Sequence, residues 1–205
     1  MGRKAKARCA ACHSRECEGG KDCFDNAERF QALYEDERIA RLHRAATSIE
    51  GRHYCQEPRI REIMLFAQEM GFRKLGLAFC VGLAAEAEII AQILGQKFKV
   101  LSVCCKSCGI NKRTLRLTQI DAKRKDEIMC NPAGQAALLN EAGTELNILC
   151  GLCMGHDAIF SMTSQAPVTT LIAKDRVLAH NPIGAVYSPY IRRTLLPEAA
   201  RAKKR

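Results

Sequence analysis

An α/β fold is the architecture this sequence predicts: a mostly parallel sheet with helices on both faces, preceded by a small cysteine-rich metal-binding arm and two helices. Three observations carry it. Four apolar runs, KLGLAFC (74–80), KVLSVCC (99–105), ELNILC (145–150) and PVTTLIAKD (167–175), have the length of strands. Helical patterns at 83–94 and 131–143 fall between them, and strands alternating with helices build parallel sheets covered on both faces. A chain of 205 residues can bury a sizeable core without covalent staples.

In chain order, residues 1–26 form a basic N-terminus and a four-cysteine arm, too polar and short for a core. A helical segment packed on the body is expected over 27–72. Its first helix, 27–49, places Phe30, Leu33, Tyr34, Leu42, Ala45, Ala46 and Ile49 largely on one face. Its second is opened by Pro58, carries the stripe Ile60, Ile63, Met64 and Ala67, and is stopped by Gly71. The α/β body spans 73–190. There Gly95 ends the helix at 83–94, and Pro132 and Gly143 bound the helix at 131–143. Asp157 is placed to cap a short helix running to Ser164. The stretch 109–128 shows no periodicity. Residues 191–205 read as a basic C-terminal tail.

The charge of +10 suggests nucleic acid until it is located. Almost all of it lies in the two ends, and a basic terminus is usually a solvated one. Aromatic residues make up 5% of the chain, few for single-strand recognition, which leans on stacking. No apolar targeting segment opens the chain, and no run approaches membrane-spanning length. A cytoplasmic location without membrane attachment is expected, with the cysteines as thiols.

Twelve cysteines then demand an explanation in metal or redox chemistry. In an open parallel sheet, the loops at the strands' carboxyl ends lie together and form the binding crevice. Cys80 and Cys105 end two strands, Cys153 lies in the loop after a third, and Cys130 precedes the helix that begins at Pro132. These four, with Cys108 in reserve, are the expected ligands of an iron–sulfur cluster (4Fe–4S favoured) or zinc. Cys104 should face away from Cys105 by strand alternation. Cys150 fits a core thiol. On the same edge, His156 and Asp157 are candidate catalytic groups, with His156 also a possible ligand. Lys106, Lys174 and Arg176 are candidate binders of a small anionic substrate. Asp175 and Arg176 could instead pair with each other.

Cys9, Cys12, Cys17 and Cys23 supply four further thiols within a short run. A CxxC pair aims two sulfurs at one ion and two more complete a tetrahedron, which points to a separate site for zinc or an iron–sulfur cluster. The spacing is near that of a zinc knuckle and unlike either ferredoxin pattern.

The segments LGLAFCVGL (75–83), SVCCK (102–106), CNPAGQAALLNEAGTELN (130–147), GLCMGHD (151–157) and APVTTLIAKDRVLAHNP (166–182) resemble the domain of unknown function 1847, a cysteine-rich family of bacteria and archaea. The N-terminal cysteine run is similar to the family's as well. The resemblance implies metal binding, names no reaction, and supports Cys80, Cys105, Cys130, Cys153, His156 and Asp157 as functional positions. The expectation is a protein whose partners are metal ions and a small anionic substrate or redox partner. The alternatives are a zinc-knuckle nucleic-acid module, disfavoured by charge placement, and a metal or redox sensor without catalysis.

Overall fold

The computed structural model describes residues 7–196. Arg3, Lys4 and Lys6 of the basic N-terminus and residues 197–205 of the basic tail lie outside them. The chain divides into two compact units, Met1–Gln56 and Glu57–Arg205, so the helical stretch expected over 27–72 is shared between them.

In the first unit, short 3-10 turns at Cys9–Ala11 and Glu16–Gly19 precede α1 (Ala27–Gln31) and α2 (Glu37–His53). The single helix expected over 27–49 is therefore broken. A 3-10 turn, Ala32–Glu35, follows α1, and Asp36 then turns extended and accepts a hydrogen bond from the Ile39 amide at 3.0 Å. A short acceptor side chain that caps the next helix competes with continuing the previous one. Ala45 and Ile49 are buried, whereas Phe30, Leu33 and Tyr34 of the expected stripe are exposed.

The second unit begins with α3 (Arg59–Glu69), entered at Pro58 and closed by Gly71 at φ +69°. There follow β1 (Lys74–Phe79), α4 (Ala84–Gly95), β2 (Lys99–Cys104), α5 (Pro132–Glu141), β3 (Leu146–Cys150), α6 (His156–Thr163), β4 (Val168–Ile172), α7 (Ile183–Tyr187) and α8 (Pro189–Leu195). The four strands pair entirely in parallel in the order β2-β1-β3-β4. One face packs against α3 and α4 through Ile63, Met64, Ala67, Leu75, Leu77, Ile90, Leu94 and Ile148. The other packs against α5 and α6 through Ala78, Ala136, Leu139, Leu149 and Phe160. β3 is buried throughout, as expected of a strand covered on both faces. Arg59 occupies part of the outer strand, donating to the Thr170 carbonyl at 2.8 Å and the Thr169 hydroxyl at 3.0 Å; it thereby blunts an otherwise open sheet edge.

Two local readings change. α6 is capped by Gly155 at φ +82°, and Asp157 lies one residue inside it, accepting from the Ala158 amide at 2.8 Å. The stretch read as tail from residue 191 begins inside α8. The silent stretch 109–128 carries a 3-10 turn at Lys112–Leu115 and an antiparallel bridge from Asn111 to Ile128. It is closed by an ion pair between Lys112 and the buried Glu127 at 2.7 Å.

Glu145 fastens the entry to β1: its carboxylate accepts from the Arg73 amide at 2.7 Å and the Lys74 amide at 2.9 Å. Those two bonds, Arg73's first, hold its carboxyl below the usual glutamate value. A depressed carboxyl contributes stability that is full above the unfolded-state value and is lost as pH falls through the folded one. Glu145→Gln should therefore be less stable than the parent at neutral pH. The gap should close as pH falls below the usual glutamate range, as read from urea midpoints.

Candidate functional site

Strand order creates the site. The connection after β1 leaves through α4 on one face of the sheet, and that after β3 leaves through α6 on the other. Neighbouring strands whose connections diverge open a crevice at their carboxyl ends. Cys80 and the Gly151–Cys153 loop stand there.

The backbone draws the cysteines together step by step. The Cys80 amide donates to the Cys150 carbonyl at 3.1 Å, and the Cys105 amide donates to the Phe79 carbonyl at 2.9 Å. That bond belongs to the last registered pair of β1 and β2, Phe79 with Cys104, and leaves Cys80 and Cys105 immediately beyond it. The Asn131 amide donates to the Cys105 carbonyl at 2.8 Å, which brings Cys130 alongside. Asn131 then caps α5 through the Gly134 amide at 2.9 Å. As a result, the Cys105 thiol lies near enough to Cys80 and Cys130 for both to oppose its ionisation. The Val81 amide also donates to the Cys105 sulfur at 3.3 Å.

Two cations attend these sulfurs. Lys174 donates to the Cys80 sulfur at 3.5 Å, and Arg176 donates to the Cys153 sulfur at 3.0 Å. Both follow β4, at the same edge. Asp175, between them, accepts from the Val177 and Leu178 amides, each at 2.9 Å, and so closes its own turn. Lys106 reaches the Ile128 carbonyl at 2.5 Å and anchors the 109–128 stretch.

The electrostatics separate the thiols. Burial opposes ionisation of Cys80, yet the Gly82 amide, the Lys174 ammonium and the Cys105 thiol together bring it below the ordinary cysteine value. Cys105 is pushed up to about 12, chiefly by burial. Cys150 is raised to about 11 by burial, in the core beside Leu77 and Ile148, as a core thiol should be. His156, the first residue of α6, is lowered by burial and by the charges of Lys106, Lys112 and Arg176, against the pull of Asp157. Cys108 is exposed at φ +74°. Cys104, expected to face away from Cys105, is half-buried and packs with the same cluster on the α5 side; β2 ends at Cys104, so strand alternation does not extend to Cys105.

Gln135 has no part in the sequence reading, yet it builds the site. It is fully buried in α5, and its amide nitrogen donates to the carbonyls of Val103 at 2.7 Å and Phe79 at 3.2 Å. It thus ties the ends of β1 and β2 together directly behind the two cysteines. Its carbonyl oxygen is buried without a partner, as is the Ser107 hydroxyl. The signal was present as a glutamine one turn into an otherwise apolar helix.

In the first unit, Cys9, Cys12, Cys17 and Cys23 are all exposed. The Cys12 amide donates to the Cys9 carbonyl at 3.0 Å, and the Gly20 amide to the Cys17 carbonyl at 3.0 Å. Cys12 is lowered first by the Ser14 hydroxyl; Cys23 is raised by local desolvation and then by Cys17, Cys12 and Cys9. Among the described residues, no three His, Cys, Asp or Glu side chains form a group fit to hold a metal ion. No helix among them is long and apolar enough to cross a membrane.

The comparisons bear on this arrangement. A family model described as "Protein of unknown function (DUF1847)" matches residues 20–171, which take in Cys23 and every cysteine of the body. "Uncharacterized protein MJ0455" of Methanocaldococcus jannaschii is 45% identical over 190 residues, 92% of this chain and 98% of that protein. No solved structure matches. With a family model spanning most of the chain and a relative aligned over nearly all of it, the chain belongs to the DUF1847 family.

Proposed function

We propose that this protein binds metal through thiolates at two places. One is the carboxyl edge of the sheet, where Cys80, Cys105 and Cys130, with Cys153, hold an iron–sulfur cluster or zinc. The other is the N-terminal run Cys9, Cys12, Cys17 and Cys23. The observation that carries the reading is the convergence of Cys80, Cys105 and Cys130, brought from two strand ends and the entry to α5 by the backbone bonds from Cys105 to Phe79 and from Asn131 to Cys105. A donor set of soft sulfurs suits zinc and iron–sulfur clusters. The buried Gln135 oxygen without a partner beside them also fits an edge built to receive something. Cys153 is engaged by Arg176 at 3.0 Å, so joining an ion costs that contact. A bound cluster would supply one-electron chemistry, and zinc a Lewis acid or a structural clamp. Around it, Lys174 and Arg176 balance the negative charge of several thiolates or hold a small anionic substrate, and His156 moves a proton.

Anaerobic purification followed by metal and acid-labile sulfide analysis tests this. Iron with matching sulfide, or zinc without sulfide, supports the site in one form or the other; protein free of tightly held metal overturns it. Replacing Cys12 and Cys17 with serine should remove one metal equivalent and leave the body folded, since the body has its own core and a short arm depends on metal for order. Loss of all metal together with unfolding would reject the division into two sites.

A further inference from the structure

We infer that Cys80 and Cys105 form a reversible disulfide through thiol–disulfide exchange with a small disulfide of the glutathione type. The inference rests on the same sulfurs as the metal reading but concerns the metal-free protein, and it stands on strand register. Phe79 and Cys104 are the last registered pair of β1 and β2, and the Cys105 amide still donates to the Phe79 carbonyl at 2.9 Å. Cys80 and Cys105 are therefore the next residues across the ladder. Neighbouring strands run about 4.8 Å apart, inside the roughly 4.4–6.8 Å between α-carbons that disulfides use. Both cysteines are buried in the cluster on the α5 and α6 side of the sheet, each two residues beyond a strand residue of that cluster, Ala78 and Val103. The two thiols are near enough for each to act on the other's ionisation.

Entry is from the Gly82 side. Cys80 and Cys105 are 6% and 2% exposed, but Gly82 is exposed and bare. A Cβ there would lie 3.5 Å from the Lys174 ammonium and 4.0 Å from the Cys80 sulfur. An oxidant that approaches over this glycine meets Cys80 first, with Lys174 beside the sulfur to offset negative charge. Gln135 keeps the two strand ends at fixed spacing from behind.

The chemistry balances without a further reagent. The Cys80 sulfur attacks one sulfur of glutathione disulfide. A bond from Cys80 to glutathione forms, the glutathione S–S bond breaks, and one glutathione thiolate leaves. The Cys105 sulfur then attacks Cys80, expels the second glutathione, and closes the Cys80–Cys105 bond. The two cysteine protons go to the two departing thiolates. The protein loses two electrons and the glutathione disulfide gains them. Excess reduced glutathione or dithiothreitol reverses the sequence.

The test uses full-length protein stripped of metal under argon, treated with glutathione disulfide, alkylated and digested with trypsin. Cys80 lies in peptide 75–97 and Cys105 in peptide 100–106, which also holds Cys104. The expected result is a cross-link between these two peptides that persists in Cys104→Ser, vanishes in Cys105→Ser and is undone by dithiothreitol. Should Cys105→Ser not fold, fragmentation of the linked wild-type peptides assigns the bond to Cys104 or Cys105. Gly82→Val, which covers the approach, should slow cross-linking several-fold while the fold and final product stay the same. A cross-link running through Cys104, a link from Cys105 to Cys130 in place of Cys80, or no link between these peptides overturns the inference, as does an unchanged rate in Gly82→Val for the route of entry. The bond forming in a protein that purifies without metal refutes the metal reading alone. Metal on purification with no bond in the stripped protein refutes this one alone.

Discussion

Cys105→Ser should abolish metal binding at the sheet edge, whereas Cys104→Ser and Cys150→Ser should keep it. The expectation follows from who touches whom. The Cys105 sulfur is the shared neighbour of Cys80 and Cys130, so losing it separates two thiols that otherwise meet at one point. A serine oxygen is a hard donor and a poor substitute in a soft site. Cys150 is as deeply buried as any residue of the sheet, yet it sits in the core on the α3 and α4 face. Its replacement should lower stability by burying a hydroxyl, on the order of 1–3 kcal/mol, while metal per protein stays at the parental value. Cys104, half-buried and adjacent to Cys105 in sequence, is the control for crowding. Plasma emission on the three variants, with thermal midpoints beside it, separates ligand loss from unfolding. Metal lost in Cys150→Ser at an unchanged midpoint would place the ligand set on the wrong face of the sheet.

Strands and most helices were legible because their cues are local. Pro58 and Gly71 bracket α3, Pro132 opens α5, and each of the four apolar runs holds a strand. What was missed turned on competition between acceptors. Asp36 breaks a periodic stretch by capping the helix that follows, and Gly155 takes the cap of α6 in place of Asp157 through a left-handed backbone that no pattern of apolar residues encodes. The 109–128 stretch was illegible because its order comes from pairing at a distance. Lys112 with Glu127, and Asn111 with Asp126 at 2.8 Å, hold a segment with no apolar period of its own.

The site was legible as a place more than as a set of contacts. Strand direction alone put Cys80, Cys105, Cys130 and Cys153 on one edge; Cys105 was preferred to Cys104 as the closer to the loop, and Cys150 was assigned to the core from the apolar run of β3. Alternation failed to separate Cys104 from Cys105, which pack in one cluster because β2 ends at Cys104. The cations were foreseen as binders of substrate. In the folded chain Lys174 and Arg176 rest on sulfurs, and Lys106 reaches a backbone carbonyl. That division depends on side-chain reach across loops, which a sequence does not state. Gln135 escaped for a related reason: a polar residue on a helix is read as solvent-facing until its helix is docked, and this one is docked with its amide against two strand ends.

Gly76→Ala should destabilise the body strongly for a single-methyl change. Gly76 sits mid-strand in β1, paired across the ladder with Asn147 of β3. A Cβ on it would lie 2.0 Å from the Asn147 carboxamide oxygen and 2.8 Å from Leu139. Neither neighbour has room to yield, since Asn147 and Leu139 are 0% and 1% exposed. Asn147 is also held at both ends, accepting from the Thr144 hydroxyl at 2.8 Å and donating to the Ser164 hydroxyl at 2.8 Å. The glycine is thus the space into which a buried polar side chain folds, and the added methyl forces either a shift of β1 or the loss of those bonds. Overpacking together with an unpartnered buried amide costs roughly 3 kcal/mol. In a domain of this size that lowers the thermal midpoint by roughly 10 °C. Asn147→Ala empties the same space from the other side, so the double variant should be less destabilised than the sum of the two single changes, with a coupling of about 1 kcal/mol or more. Additive midpoints in urea would mean that β1 absorbs the methyl by moving. The carboxyl edge would then move with it, because Cys80 is only four residues further along the same strand direction, and metal per protein should fall in Gly76→Ala as well.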